Sequence, residues 1–362
     1  MKKIRMRLKN NPYDIVIAPN AIQSLGILLP GLKIGKDAVV ITSAFIWRLH
    51  GKNVIAALKK GGCSVKVFLV PDGEKSKSAQ SAFRLLEQIA RFDVLKKVFI
   101  VAVGGGVIGD LAGFVASVYK RGVPYIQIPT TFLAQIDSAI GGKVAVDLPI
   151  GKNLVGAIYQ PRLVLSDTNF LRTLPLRQLR NGMAEAVKYG VIYDKKLFTD
   201  LENNYAQVLA LNGQVLERVV YACSRIKAAV VEQDEAETLS IRTILNFGHT
   251  IGHAIEAAGH YDIYQHGEAI ALGMRAAADI SVQLKIFSAQ ESQRLNDLLS
   301  AIGLPKRIKG VRLPDILAHM KHDKKFLASK NRFVLAKRIG EVKIVEGVNP
   351  SVILQSIKAL MV

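Results

Sequence analysis

Through its first half the chain alternates short β-branched runs with longer amphipathic stretches. The runs fall at residues 14–17, 38–42, 65–70, 98–103 and 125–128, and residues 78–91 repeat with a helical period. Such alternation predicts a largely parallel sheet covered by helices. From about Pro175 the pattern changes, and residues 176–193, 206–237 and 241–258 read as helices with no comparable series of strands. Thr173-Leu174-Pro175 interrupts both patterns. The expected boundary therefore divides an α/β domain over residues 1–172 from an all-α domain over residues 173–362. No internal repeat or low-complexity segment is visible.

The chain has 362 residues, 50% of them apolar. That much apolar surface offsets the ordering entropy of a folded chain, and the length suits two domains of roughly 100–200 residues. The most apolar stretch, residues 98–119, is broken by Gly104-Gly105-Gly106, Gly109 and Asp110. A membrane helix needs about 20 consecutive apolar residues, so no span is expected. The basic start runs into more charge, then Pro12 and Asp14, without the apolar core of a secretory signal. Cys63 and Cys223 are too few for a disulfide framework or a metal quartet. The expected location is the reducing cytoplasm.

Charge changes the picture in one respect. Lys and Arg number 49 against 29 Asp and Glu, a formal net charge of +20. Residues 1–9 carry five basic residues and no acid, and residues 306–343 carry twelve basic and three acidic residues. A polyanion such as nucleic acid is one partner this suggests. The second run is interleaved with apolar residues, however, and the chain has no zinc finger, RNP-type aromatic motif or Arg/Gly tract. A solvated basic face is the better reading, with some lysines left to meet a small anion, and no specific nucleic-acid partner is expected.

Residues 101–110 lead an apolar strand into Gly104-Gly105-Gly106-Val107-Ile108-Gly109-Asp110 and on into a helical stretch. Glycine lets the backbone turn tightly and approach a pyrophosphate, which the following helix N-terminus favours, in a Rossmann-like manner. The motif departs from the ordinary fingerprint in following the fourth or fifth strand, and in having no acid about 20 residues on. A tight turn without a ligand is the plain alternative. Next come Pro129-Thr130-Thr131, the stretch from Asp137 to Lys143, and Gly151-Lys152-Asn153. Read as loops at the carboxyl ends of strands, these place two lysines and an Asn where an α/β sheet carries its site. Ammonium groups there suit a phosphate or carboxylate, although a lone lysine is more often surface charge.

Four of the seven histidines, His249, His253, His260 and His266, fall within eighteen residues. His249 and His253 are spaced i, i+4, on one helical face, and His266-Gly267-Glu268 opens the next helical stretch. Three protein ligands with an open position make a catalytic zinc-type site, whereas H-E-x-x-H is absent and a metalloprotease of that kind is unsupported. Core histidines satisfied by hydrogen bonds are the bland alternative. For a carboxylate ligand the candidate is Glu185, beside Lys188 on the otherwise apolar stretch Gly182-Met183-Ala184-Glu185-Ala186-Val187-Lys188-Tyr189. An unpaired charge there is costly, so a plain buried Glu–Lys pair explains it equally well.

These segments, together with Leu245-Asn246-Phe247-Gly248-His249-Thr250-Ile251-Gly252-His253, closely resemble the 3-dehydroquinate synthases in order and roughly in spacing. The likeness is strong over about residues 98–274 and weaker toward both ends. It implies a dehydroquinate synthase-like fold, with an NAD-binding domain over residues 1–172 and a metal- and substrate-binding domain over residues 173–362. It also implies a carbon–oxygen lyase, dependent on NAD and a divalent metal, in the shikimate pathway to chorismate and the aromatic amino acids. That enzyme converts 3-deoxy-D-arabino-heptulosonate 7-phosphate into 3-dehydroquinate and phosphate. Carried over by motif, Glu185, His249 and His266 bind Zn²⁺, with Co²⁺ as the alternative, and His253 then faces the substrate instead. Glu74, Lys77, Gly105, Gly106, Val107, Asp110, Thr130, Thr131 and Thr173 are implied cofactor contacts, joined by Lys143 and Lys152. Lys143, Lys152, Asn153, Lys188, Arg242, Asn246 and His253 are the implied catalytic set. Arg121, Asp137, Lys227 and Lys324 are implied substrate contacts, and the implied assembly is a homodimer acting on a small sugar phosphate.

The chain departs from the family pattern at Val144, where a threonine is common, and at Thr42-Ser43, where an acid or amide often meets the adenosine ribose. One extra residue stands between Glu237 and Arg242. A sister cyclase such as 2-deoxy-scyllo-inosose synthase is the nearest rival reading. Arg242, Asn246, His253, Lys143 and Lys152 favour a carboxylate-bearing substrate over that sugar phosphate.

Overall fold

The structure, a computed structural model, describes residues 1–322 and 331–362, so Lys324 lies outside the described residues. It divides into two compact units, Met1–Pro175 with Leu216–Ala236, and Leu176–Val215 with Glu237–Val362.

In chain order the first unit contains β1 (Lys2–Met6), β2 (Tyr13–Ala18), α1 (Leu25–Leu32), β3 (Asp37–Ser43), α2 (Ala44–Lys60), β4 (Ser64–Val70) and α3 (Ala79–Phe92). It continues with β5 (Val98–Gly104), α4 (Gly106–Val118), β6 (Tyr125–Pro129), β7 (Lys143–Leu148), β8 (Gly151–Ile158) and β9 (Leu163–Asp167). All five expected runs are strands of a seven-stranded sheet ordered β1-β2-β9-β6-β5-β3-β4, parallel except for the β1–β2 pair. Side chains alternate across the sheet into two separate cores. Phe99, Val101 and Val103 of β5 pack with α1 and α2, whereas Val98, Ile100 and Ala102 pack with α3 and α4. Both faces are covered, which is why the central strands read as continuous apolar runs. The end of β5 therefore has one outlet, the glycine turn into α4.

The sequence reading gave neither β1 nor β9 as a strand, and two further strands, β7 and β8, change what it placed in loops. Lys143 opens β7, while Gly151, Lys152 and Asn153 open β8, and the two strands pair as an antiparallel hairpin rather than lying in loops. Val144 and Val146 of β7 are buried in the core beneath α3 and α4. The Asp147 carboxylate accepts the Asn153 backbone N–H at 2.7 Å. Glycines hid the hairpin, because its backbone pairing is invisible in the local pattern. In β8 glycine also permits a close approach, since a Cβ on Gly156 would lie 2.4 Å from the Val144 carbonyl oxygen.

After Pro175 come α5 (Leu176–Ile192), α6 (Lys195–Leu209), α7 (Gly213–Gln233), α8 (His249–Ala258), α9 (His266–Gln283), α10 (Ala289–Ala301) and α11 (Leu313–His322). The chain finishes with β10 (Arg332–Arg338), β11 (Glu341–Glu346) and α12 (Pro350–Leu360). The second unit is helical as expected, with one antiparallel hairpin, β10–β11, added. Beside the expected cut at 172/173, the first compact unit runs to Pro175 and also takes in Leu216–Ala236, most of α7. Its side chains explain this: Ser224 Oγ donates to the Gln135 carbonyl at 3.2 Å, and Glu232 accepts from the Arg7 backbone N–H at 2.5 Å. The expected long helices also divide, at Leu211 (φ +59°) and at Gly248 (φ +78°), where the chain turns left-handed. Among the described residues no helix is long and apolar enough to cross a membrane.

Candidate active site

In the second unit, α8 and α9 pack backbone against backbone. A Cβ on Gly273 would sit 1.9 Å from the Gly248 carbonyl oxygen, so only glycine allows this approach. It brings His249, first residue of α8, and His266, first residue of α9, to a ring-centroid distance of 5.5 Å. The start of α9 is held firmly. Glu268 accepts from the Gln265 N–H at 2.9 Å and from Arg177 through two bonds of 2.7 Å, and Asn181 Oδ1 accepts from the Gly267 N–H. These bonds occupy helix-start donors that otherwise lack partners.

Glu185 completes the group from α5, fully buried. Its Oε1 lies 3.2 Å from His266 Nε2 and 3.5 Å from His249 Nε2, while Oε2 pairs with the Lys188 ammonium. The three donor atoms lie within 4.8 Å of one another. The Phe247 carbonyl, 3.1 Å from His249 Nδ1, can only accept. The His249 proton therefore sits on Nδ1, and its Nε2 lone pair faces a carboxylate oxygen. Two acceptors face to face call for a cation between them, and two imidazoles with one carboxylate form a donor set that suits zinc. Burial pushes the His249 imidazole well below its ordinary value, which keeps it neutral. Burial alone would raise the Glu185 carboxyl, but Lys188, then His249 and His266, hold it well below the usual range. Burial would likewise lower His266, yet bonds to Glu185 and Glu256 push it up to about 10. His253 is exposed, and a second set of His253, Glu256 and His266 shares His266 with the first. Arg242 and Asn246 stand on the 3₁₀ turn Ile241–Asn246 ahead of α8, Arg242 being buried.

The first unit gathers a different group. Gly105 precedes α4, and a Cβ there would lie 2.9 Å from Thr131 Cγ2, so the glycine leaves room at the helix start. Gly106 and Val107 supply the first N–H groups of α4, a terminus whose dipole favours an anion. One turn on, Asp110 pairs with the buried Lys77 at 2.5 Å, and Lys77 also donates to Asn153 Oδ1. Burial pushes the Asp110 carboxyl up to about 6, more than Lys77 can offset. Lys152 lies 3.4 Å from Glu74. Glu74, Lys77, Asp110, Lys152 and Asn153 thus form one polar cluster, and the Thr130 N–H donates to the Gly104 carbonyl at 2.9 Å beside the glycine turn. Lys227 of α7 reaches Asp137 at 2.5 Å. Thr173 donates to the Phe170 carbonyl at 2.8 Å with His50 Nε2 at 3.2 Å, Arg121 adopts a left-handed φ of +64° after α4, and Lys143 is exposed. Sequence reasoning overlooked Glu256, Asn181 and the Phe247 carbonyl. Only Glu256 left a signal, seven residues and two turns from His249.

The family model described as 3-dehydroquinate synthase N-terminal matches residues 67–181, and the one described as 3-dehydroquinate synthase C-terminal matches residues 182–326. A curated 3-dehydroquinate synthase of Desulforamulus reducens is 46% identical over 355 residues, covering 98% of this chain and 99% of its own. The chain belongs to the 3-dehydroquinate synthase family. Solved structures of sister cyclases share its fold. A 2-deoxy-scyllo-inosose synthase complexed with carbaglucose-6-phosphate, NAD⁺ and Co²⁺ superposes with a TM-score of 0.88 at 29% identity, covering 99% of this chain and 100% of that one. A 2-epi-5-epi-valiolone synthase of Streptomyces hygroscopicus subsp. jinggangensis, with NAD⁺ and Zn²⁺ bound, gives 0.88 at 26%, covering 98% of each chain. The dehydroquinate synthase-like fold expected from the motifs is therefore the fold observed.

Proposed function

We propose that this chain converts 3-deoxy-D-arabino-heptulosonate 7-phosphate into 3-dehydroquinate and phosphate. The observation that carries this reading over the sister cyclase is 46% identity to a 3-dehydroquinate synthase along nearly the whole chain, against 29% to the 2-deoxy-scyllo-inosose synthase. Reaction proceeds by transient oxidation at C5, which acidifies the neighbouring C–H, then phosphate elimination, reduction, ring opening and intramolecular aldol closure. When bound, NAD⁺ supplies a reversible hydride acceptor, and Zn²⁺ or Co²⁺ supplies a Lewis acid for the sugar hydroxyls.

The residues divide the remaining work. Glu185, His249 and His266 hold the metal, with Lys188 keeping the Glu185 carboxylate ionised. The start of α4, with Gly105, Gly106 and Val107, holds the cofactor pyrophosphate, supported by Glu74, Lys77, Asp110, Thr130, Thr131 and Thr173. Lys152, Asn153 and Arg121 hold the phosphate that leaves, restraining it where its own oxygen can take the acidified proton. Arg242, Asn246, Lys143 and the Lys227–Asp137 pair orient the carboxylate and hydroxyls. His253, exposed at its ring, moves a proton during ring opening and closure. A homodimer in the cytoplasm belongs to the same reading. Both thiols are buried and neither is in a disulfide, which suits a reducing compartment.

The deciding experiment supplies the heptulosonate phosphate with NAD⁺ and Zn²⁺ and follows phosphate, NADH and cyclised product. Equimolar phosphate and 3-dehydroquinate without net NADH is the expected result. No phosphate release, release without a cyclised ketone, or turnover of glucose 6-phosphate instead would overturn the proposal.

A further inference from the structure

We infer that Glu256 is a positioning residue for the metal site, fixing the His266 imidazole so that Nε2 points at the ion. The inference rests on the proposed ligand set of Glu185, His249 and His266. Glu256 lies on α8 two turns beyond His249 and therefore on the same helical face. Only 7% exposed, its carboxylate needs strong partners, because a buried charge without them is expensive. Glu256 Oε2 lies 3.2 Å from His266 Nδ1, on the side of the ring opposite the Nε2 that faces Glu185 Oε1. A carboxylate only accepts, so Nδ1 keeps its hydrogen toward Glu256, and Nε2 is the nitrogen that would give up its proton and offer a lone pair when a metal binds.

His249 repeats the arrangement with a different acceptor. Its Nδ1 is anchored by the Phe247 carbonyl at 3.1 Å, and its Nε2 faces the same Glu185 oxygen. Both rings are thus oriented from behind by a fixed acceptor and converge from the front on one carboxylate. Ligating histidines generally donate their second N–H in this way, and losing that partner typically weakens metal affinity about 10- to 100-fold. The competing arrangement makes Glu256 itself a ligand, with His253 and His266. It takes one donor from an exposed ring and leaves the fully buried Glu185 out.

The test measures Zn²⁺ affinity of the metal-stripped full chain by competition with a chromogenic chelator, and records the visible absorption bands of the Co²⁺-loaded chain. Glu256→Gln keeps an acceptor oxygen without the charge, and Glu256→Ala removes the acceptor. Affinity is expected to fall by about tenfold and about a hundredfold respectively, with Co²⁺ band positions unchanged because the ligands are the same. The graded rescue by glutamine is a response that a generally loosened fold does not give. Unaltered affinity in both variants overturns the inference, as does an altered Co²⁺ spectrum in Glu256→Gln, which would make Glu256 a ligand. Should Glu256→Ala fail to fold, by circular dichroism, Glu256→Gln alone decides on the same criteria. His249→Ala and His253→Ala keep the underlying reading separately testable: the first is expected to lose the metal and the second to retain it. The opposite pattern sinks the ligand set itself, whatever Glu256 does.

Discussion

Glu185→Gln separates two explanations for one carboxylate: a metal ligand, or merely the counter-charge of a buried lysine. The substitution keeps the shape and one acceptor oxygen and removes the charge. Glu185 is 0% and Lys188 2% exposed, so solvent cannot take over the lost interaction. Breaking a buried pair by removing one partner costs about 3–5 kcal/mol. The glutamine oxygen still accepts from Lys188, which places the expected loss near the lower end, about 3 kcal/mol, or roughly two orders of magnitude in an opening equilibrium. Hydrogen–deuterium exchange in α5 of the metal-stripped chain reads this directly, as a roughly hundredfold faster exchange of its protected amides. Zn²⁺ affinity and the Zn²⁺-induced rise in melting temperature are read on the same samples, and both are expected to be lost. Glu185→Leu with Lys188→Met replaces the pair with apolar groups of similar size and is expected to recover α5 protection, since such replacements are often neutral or stabilising. It is not expected to recover Zn²⁺ binding. Wild-type Zn²⁺ affinity in Glu185→Gln refutes the ligand role; unchanged exchange in α5 refutes the energetic argument.

Two further outcomes follow from carboxylates in the first unit, Asp167 buried and Asp110 partly buried. Asp167 accepts three backbone N–H groups, from Asn20 at 2.9 Å, Ile22 at 3.0 Å and Asn169 at 3.0 Å. Asp167→Ala strands these donors and is expected to cost about 3 kcal/mol or more in denaturant unfolding; a loss below about 1 kcal/mol contradicts the bonding scheme. Asp110 has a folded-state pKa of about 6 against an ordinary 3.8, so the folded chain binds this proton more readily than the unfolded one. Its stabilising contribution is fully present below the ordinary value and disappears as the pH rises through about 6. Relative to Asp110→Asn, the wild-type chain is expected to gain roughly 2 kcal/mol between pH 7 and pH 4, and a pH-independent difference refutes the assignment.

Central strands were easy to read because a strand covered on both faces is apolar at every position, as in β5. The β7–β8 hairpin was not, because its glycines and lysines mimic a loop and only pairing with each other makes them strands. The helix break at Gly248 was similarly hidden, since helical periodicity runs on through a residue whose left-handed backbone is required by contact with α9. At the metal group, spacing suggested His249 with His253, an i, i+4 pair that any amphipathic helix produces. Motif resemblance favoured His266 over His253, and neither source gave a reason.

Composition and local pattern alone determined that the chain folds into an α/β portion followed by a helical one, and the order of its motifs pointed to the family. These features are encoded within stretches of a few residues and survive without knowledge of what packs where. Which imidazoles converge on Glu185 was decided by the tertiary structure. His266 and Glu185 are 81 residues apart, and their meeting at 3.2 Å depends on α5, α8 and α9 packing closely enough to exclude every side chain at Gly273. The return of α7 to the first unit has the same origin, since Lys227 finds Asp137 across 90 residues of intervening chain. A pattern with a period of two or four residues carries no information at that separation; only the packed core supplies it.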